Sequence, residues 1–327
     1  MSIVAEFART LHEKYPSVNN NIFTTIEYPS KTSKISDIKV AVFDVYGTLI
    51  NYWKDEFCKP QEKINSFYNA FEKIITLFNM KDYLLEMNPN EPPQKTLFDL
   101  YHGLISLKQE LALKKNIEFP EINIEKIWDA IIQMLKRRGY NIKDKQLGEE
   151  SDFIRCVAYA YNFFALNRGL YPDVADALLG LKKQNILLGI ISNAQFYTPI
   201  DLSLFLRDQT NNEIDDYLRI FEQDLVFFSY EYGVSKPNIL LYRKLFDALY
   251  EYNVLPEQTI FIGNDIVSDI YSAQQVGLKT AFFIGDSRCS FTHEKSEIIP
   301  DISFSLWKEL PDKISFYPDK SFQEGCN

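Results

Sequence analysis

Short unbroken apolar runs, each bounded by polar or turn residues, occur at Lys39–Val45, Ile186–Ser192, Leu225–Ser229, Thr259–Gly263 and Thr280–Ile284. Runs of this length, rich in β-branched and aromatic residues, predict strands covered on both faces. Between the later runs the apolar spacing changes to a helical period. Asp173–Gln184 places Val174, Ala177, Leu178 and Leu181 on one face. Pro237–Asn253 opens on a helix-starting proline and carries Leu241, Leu245 and Leu249 at spacing four. Ile266–Val276 supplies a further helix that stops before Gly277. Strands alternating with helices predict an α/β fold, a doubly wound parallel sheet with a Rossmann-type core.

The stretch from Tyr52 to Arg168 breaks that rhythm. It contains helical patterns through Phe67, Phe71, Ile74, Ile75 and Phe78, then Leu97 to Leu113, Ile124 to Leu135, and Phe153 to Leu166. Proline-rich breaks at Pro89–Pro93 and at Pro120 separate them. This is too long for a simple crossover and predicts an all-helical insertion, residues 52–168, placed after the first strand. The core is then assigned to residues 37–51 and 169–312, with an N-terminal helix and extended lead-in over 1–36 and a tail over 313–327.

Composition narrows the class of function. The 327 residues are 46% hydrophobic and 24% charged, enough for a real core, and the formal net charge is -10. Such a surface repels polyphosphate backbones, so nucleic acid is not an expected partner, and a small anionic substrate must be drawn in by local features. Cys58, Cys156, Cys289 and Cys326 are scattered, with neither the spacing of a zinc site nor a disulfide framework. The N-terminus carries Glu6, Arg9 and Glu13 within its apolar pattern, unlike a signal peptide, and no apolar run could span a bilayer. No membrane association is expected, and the cytoplasm is the expected location.

Ligands of doubly wound sheets bind beyond the carboxyl ends of the strands. Those ends here carry Asp44 with Tyr46, Gly47 and Thr48, then Ser192 with Asn193, then Ser235 with Lys236, then Asn264, Asp265 and Asp269. A nucleophile, a hydroxyl and amide pair, a cation and a set of acids thus share one sheet edge. Asp265 and Asp269 are four apart, so a helix starting near residue 265 would put both on one face. Carboxylates gathered beside Asp44 repel one another, and a hard divalent cation such as Mg²⁺, bound by one or two carboxylates plus waters, relieves that repulsion. A second arrangement is open, in which one acid caps the helix and the other orients Lys236.

Four segments, Asp44-Val-Tyr-Gly-Thr48, Ser192-Asn193, Lys236-Pro237 and Gly263-Asn264-Asp265-x-x-x-Asp269, resemble in order the motifs of the haloacid dehalogenase (HAD) superfamily of hydrolases. The insertion resembles that superfamily's C1-type cap. The resemblance implies that Asp44 is the nucleophile, that Thr48 orients it, and that Ser192 and the backbone N–H groups after it hold the transferring group. It further implies that Lys236 neutralises charge, and that Mg²⁺ is bound by Asp44, the Tyr46 carbonyl, Asp265 and Asp269. Phosphatases of the superfamily carry a second aspartate as general acid where this chain has Tyr46. A phenol, with an ordinary pKa of about 10, is a poor replacement. Asp-x-Tyr-Gly-Thr, with Tyr242 after Lys236, also resembles the 2-haloacid dehalogenases, but the arginine those enzymes place early in the cap is missing between Asn51 and Lys136. The expected function is a Mg²⁺-assisted hydrolase of a small phosphate monoester. A carbon–halogen hydrolase and a catalytically degenerate binding protein are the alternatives.

Overall fold

The computed structural model describes residues 2–16, 22–52, 60–142, 146–166, 168–293 and 297–317. Cys58 and Cys326, residues 17–21 of the expected lead-in and the tail beyond Tyr317 lie outside the described residues. The chain divides into two compact units, one of residues 1–19, 52–168 and 195–200, the other of residues 20–51, 169–194 and 201–327.

The second unit is built on β1 (Val40–Phe43), β4 (Leu187–Ser192), β5 (Val226–Phe228), β6 (Thr259–Gly263), β7 (Lys279–Phe283) and β8 (Ile302–Phe304), in the spatial order β5-β4-β1-β6-β7-β8. Every pairing in this sheet is parallel. A separate antiparallel ribbon pairs β2 (Ile50–Asn51) with β3 (Gly169–Leu170). The β1 side chains alternate between two cores. Ala41 and Phe43 join Leu178, Leu181, Leu188 and Trp307 on one face, while Val40 and Val42 join Leu241, Tyr242, Leu245 and Phe261 on the other. A strand with no solvent face needs apolar residues at every position, which is why it reads as an unbroken run. The chain builds outward from β1 to β4 and β5, then returns to lay down β6, β7 and β8 on the other side. The crevice of such a switch point opens at the carboxyl end of β1.

Helices of the first unit are α1 (Ile3–Lys14), α2 (Pro60–Phe78), α3 (Lys81–Met87), α4 (Pro93–Leu113), α5 (Ile124–Lys136) and α6 (Glu150–Ala165). Asn123 starts α5 by accepting the Lys126 N–H at 3.2 Å. The unit is centred on an aromatic cluster in which Phe71 stacks on Tyr161 with ring centroids 4.4 Å apart, and Tyr101 and Trp128 close the other sides. The remaining helices are α7 (Val174–Lys183), α8 (Thr198–Gln209), α9 (Ser229–Tyr232), α10 (Leu240–Glu251), α11 (Ser272–Gln275) and α12 (Leu310–Lys313). Among the described residues no helix is long and apolar enough to cross a membrane.

Two elements differ from the sequence expectation. The helix after Pro237 begins at Leu240, because Asn238 turns back to accept the Leu240 N–H at 2.9 Å. The helix expected over Ile266–Val276 is a π-helical turn, Ile266–Tyr271, followed by the short α11. The wider turn changes where its side chains point, so Asp265 and Asp269 do not form an i, i+4 pair on one α-helical face.

Phe261 is fully buried at the centre of the sheet, with its ring 5.6 Å from that of Tyr242. Phe261→Ala should destabilise the protein by about 3–5 kcal/mol, read as a lowered urea midpoint with both units' helical signal retained below it.

Candidate active site

At the end of β1 the parallel ladder continues for one residue, the Asp44 N–H donating to the Ile262 carbonyl at 2.9 Å. The chain then turns sharply. The Val45 carbonyl accepts from Leu49 and Ile50 at 2.9 and 2.8 Å, and Gly47 takes a left-handed φ of 85°. A side chain there would be strained by that φ and would also collide with the Asn264 amide, so glycine is required twice over. The turn leaves the Asp44 carboxylate at the switch point, only 6% exposed.

Lys236 reaches the same spot from the loop after α9. Its ammonium donates to Asp44 Oδ1 at 2.6 Å and to Asp269 Oδ1 at 2.5 Å, and all three side chains are buried. Burial alone would lower the lysine's pKa. The adjacent Asp269 and Asp44 outweigh it and raise the pKa, so the ammonium stays charged. Burial also pushes Asp269 up to about 7 against the pull of Lys236, with the Asp44 charge adding to the rise. One ammonium therefore leaves two buried carboxylates incompletely neutralised. Asn193 fixes the lysine's backbone at two points: its Oδ1 accepts the Lys236 N–H at 2.6 Å, and its Nδ2 donates to the Lys236 carbonyl at 3.2 Å.

Asp269 faces inward. Its Oδ2 accepts the N–H groups of Asn264 and Asp265, both at 3.0 Å, and Gly263 has no side chain to obstruct that approach. Asp265 caps the π-turn, its Oδ1 accepting the Val267 and Ser268 N–H groups at 2.8 Å each, while His293 approaches its Oδ2 at 3.1 Å. Thr48 Oγ1 lies 3.4 Å from Asp44 Oδ2 but only 2.8 Å from Asn264 Oδ1. Ser192 is fully buried at the end of β4, and its hydroxyl has no hydrogen-bond partner among the described residues. The Ala194 N–H, one of the backbone donors expected to face a bound group, is already taken by Ser229 Oγ at 2.9 Å. Tyr46 is half-buried against the core on the β1 side.

Asp44, Lys236, Asp269, Asn193, Thr48 and Asn264 are thus joined by direct hydrogen bonds, and Asp265 is linked to them through Asp269. Cys289 and His293, from the segment after β7, were not singled out from the sequence. Cys289 contributes its backbone carbonyl, which accepts from Asn264 Nδ2 at 2.6 Å and which no residue type announces, and His293 lies in a polar stretch without periodicity.

Among the described residues no three Asp, Glu, His or Cys side chains converge as a ready-made metal cage. Mg²⁺ does not need one, since one or two carboxylates with carbonyls and waters suffice. Among the described residues Asp44 Oδ2 meets only the Thr48 hydroxyl, at 3.4 Å, and the surplus of buried carboxylate over ammonium favours a hard cation, so the donor set fits.

Lys236→Met should destabilise the fold by about 3–5 kcal/mol, because it leaves two buried carboxylates unpaired. Without the ammonium the folded-state pKa of Asp269 rises further above its unfolded value, and stability falls as pH rises through it. The deficit against wild type, measured by urea unfolding, should therefore be larger at pH 8 than at pH 5.

The pattern of the family described as haloacid dehalogenase-like hydrolase matches residues 38–277. The glyceraldehyde 3-phosphate phosphatase of Pyrococcus furiosus is 29% identical over 204 residues, which is 57% of this chain and 78% of that protein. The protein of the same name from Pyrococcus abyssi is 31% identical over 204 residues, covering 57% of this chain and 79% of its own length. Among solved structures, the 2-haloacid dehalogenase of Pseudomonas syringae pv. Tomato DC3000 aligns at a TM-score of 0.49 and 18% identity, over 84% of this chain and 97% of that one. With the family pattern extending from β1 through the turn that carries Asp265 and Asp269, the chain belongs to the haloacid dehalogenase-like hydrolases and is an enzyme of that family.

Proposed function

We propose that the enzyme hydrolyses a small phosphate monoester, with Asp44 as nucleophile and Mg²⁺ as cofactor. The observation that carries this reading is the one-sided clamp on Asp44: Lys236 holds Oδ1 at 2.6 Å, while among the described residues Oδ2 meets the Thr48 hydroxyl alone, at 3.4 Å. In-line attack of Oδ2 on phosphorus forms an aspartyl phosphate as the P–O bond to the alcohol breaks. The leaving alkoxide takes a proton from water. A second water then attacks phosphorus, the bond to Asp44 breaks, and phosphate and the free carboxylate are released.

Lys236 balances the charge that builds on Asp44 and the phosphoryl group. The unpartnered Ser192 hydroxyl has a proton to give to a phosphoryl oxygen, in the manner of an oxyanion hole. Asp44, the Tyr46 carbonyl and Asp265 would hold Mg²⁺, whose chemistry is to neutralise the phosphoryl oxygens and to help align the attack. Asp269, with both oxygens occupied by Lys236 and two backbone amides, serves first to hold the lysine. The relatives named as glyceraldehyde 3-phosphate phosphatases favour a phosphorylated small metabolite over a haloacid.

Asp44→Asn should fold with an unchanged melting temperature and lose essentially all turnover in a panel of phosphate esters, glyceraldehyde 3-phosphate included, and 2-haloacids assayed with Mg²⁺ and with chelator. Retention of more than a trace of the wild-type rate would refute the nucleophile. Loss of phosphatase activity with chelator is the expected metal response, and turnover confined to haloacids would transfer the assignment to carbon–halogen hydrolysis.

Tyr46→Asp tests the leaving-group step. An acid at this position should raise the rate on alkyl phosphates and leave p-nitrophenyl phosphate nearly unchanged, because nitrophenolate departs without a proton. A fall on alkyl esters would contradict the phosphatase reading.

A further inference from the structure

Asn264 can be oriented in only one way. The Cys289 carbonyl can only accept a hydrogen bond, so the group facing it at 2.6 Å is Nδ2, and Oδ1 faces Thr48 Oγ1 at 2.8 Å. An amide oxygen only accepts, so the threonine hydroxyl must donate to it. That hydroxyl has a single proton. Once committed to Asn264, it has nothing to offer Asp44 Oδ2, which lies 3.4 Å away. Lys236 engages the other carboxylate oxygen, and among the described residues no further donor reaches Oδ2.

The amide is held firmly in this sense. Asn264 is 3% exposed, its N–H donates to Asp269 Oδ2 at 3.0 Å, and its carbonyl accepts the Phe291 N–H at 2.8 Å. The turn that presents the Cys289 carbonyl is anchored in its own right. Fully buried Asp286 accepts the Tyr171 hydroxyl and the Arg288 Nε at 3.0 Å each, and its carbonyl receives the Cys289 and Ser290 N–H groups. Gly47 packs its bare Cα against the amide from the other side.

We propose that Asn264 is a positioning residue that diverts the Thr48 proton away from the attacking oxygen of Asp44. This rests on the reading of Asp44 as nucleophile. A carboxylate oxygen that accepts a hydrogen bond has one lone pair and part of its charge engaged, which makes it a weaker nucleophile. Asn264 keeps Oδ2 uncovered by giving the nearest donor a better acceptor, so a threonine that would otherwise quench the nucleophile serves only to support it from a distance.

The test is a pairwise set of variants with p-nitrophenyl phosphate and Mg²⁺: Asn264→Leu, Thr48→Val, the two combined, and Asp44→Asn. Asn264→Leu keeps the side chain's size but removes the acceptor, so the Thr48 proton turns to Asp44. Its kcat should fall about tenfold, the scale of a hydrogen bond to a charged group, with KM changed less than about twofold. Adding Thr48→Val removes the misplaced proton, and the double variant should regain several-fold in kcat over Asn264→Leu alone. A merely structural asparagine predicts the reverse, since a second lesion at the same contact slows the enzyme further or leaves it unchanged, and either result overturns the proposal. If Asn264→Leu does not fold, as judged by its melting temperature, Asn264→Cys carries the same comparison. Turnover persisting in Asp44→Asn would instead remove the nucleophile reading itself, whereas an inactive Asp44→Asn with no regain removes only the role of Asn264.

Discussion

The buried ammonium of Lys236 is the interaction on which the rest of the site depends. Two carboxylates, Asp44 and Asp269, are buried within hydrogen-bonding distance of one ammonium, whose charge opposes the penalty of burying theirs. Each partner of the ammonium has a second task. Asp44 presents its other oxygen to the crevice, and Asp269 uses its other oxygen to gather the Asn264 and Asp265 amides at the start of the π-turn. Asn193, itself at the end of β4, holds the lysine's backbone from both sides. Charge pairing, turn formation and the spacing of strand ends are therefore one arrangement.

The fold class was readable because the strands of this sheet have no solvent face. Val40, Val42, Ala41 and Phe43 are divided between two cores, and a segment buried on both sides has to be apolar throughout. Asp44 and Asp265 could be picked out because charged residues just after such segments stand against a hydrophobic background, whereas Lys236, beyond the short α9, was marked by the Ser-Lys-Pro that precedes a helix. What stayed illegible was set by hydrogen bonds between distant backbone groups. The π-turn at Ile266–Tyr271 follows from Asp265 capping it and Asp269 anchoring its entrance, whereas the apolar spacing of Ile266, Ile270 and Ala273 is equally compatible with a regular helix. The Cys289 carbonyl that orients Asn264 belongs to no residue type, so no pattern could reveal it. The short β2–β3 ribbon, two residues on each side, is below the length at which periodicity means anything.

Glycine has a second role here besides turning the chain. Gly47 and Gly263 both lie where a polar side chain comes close, the Asn264 amide of another motif in one case and the Asp269 carboxylate of the same motif in the other. Gly47 lets the first motif pack directly on the fourth, and Gly263 lets the fourth fold back on itself. The compactness of the site is thus encoded partly in missing side chains, and it explains how so few residues bring hydroxyl, amide, ammonium and carboxylate groups within bonding distance.

The sequence separation within the ion triad has a consequence for how the protein reaches its native state. Asp44 and Lys236 are 192 residues apart, while Lys236 and Asp269 are 33 apart. Closing the shorter loop is entropically easier by roughly 1.5 kcal/mol on a logarithmic scaling of closure entropy. A chain in which only the lysine loop and the π-turn have met would carry a single matched ion pair. A chain that docks β1 between β4 and β6 before the lysine loop is in place would have to bury Asp44 uncompensated, an expense that disfavours that order of events. Lys236 thus biases the order of assembly: insertion of the central strand costs least once the counter-ion of Asp44 is in place.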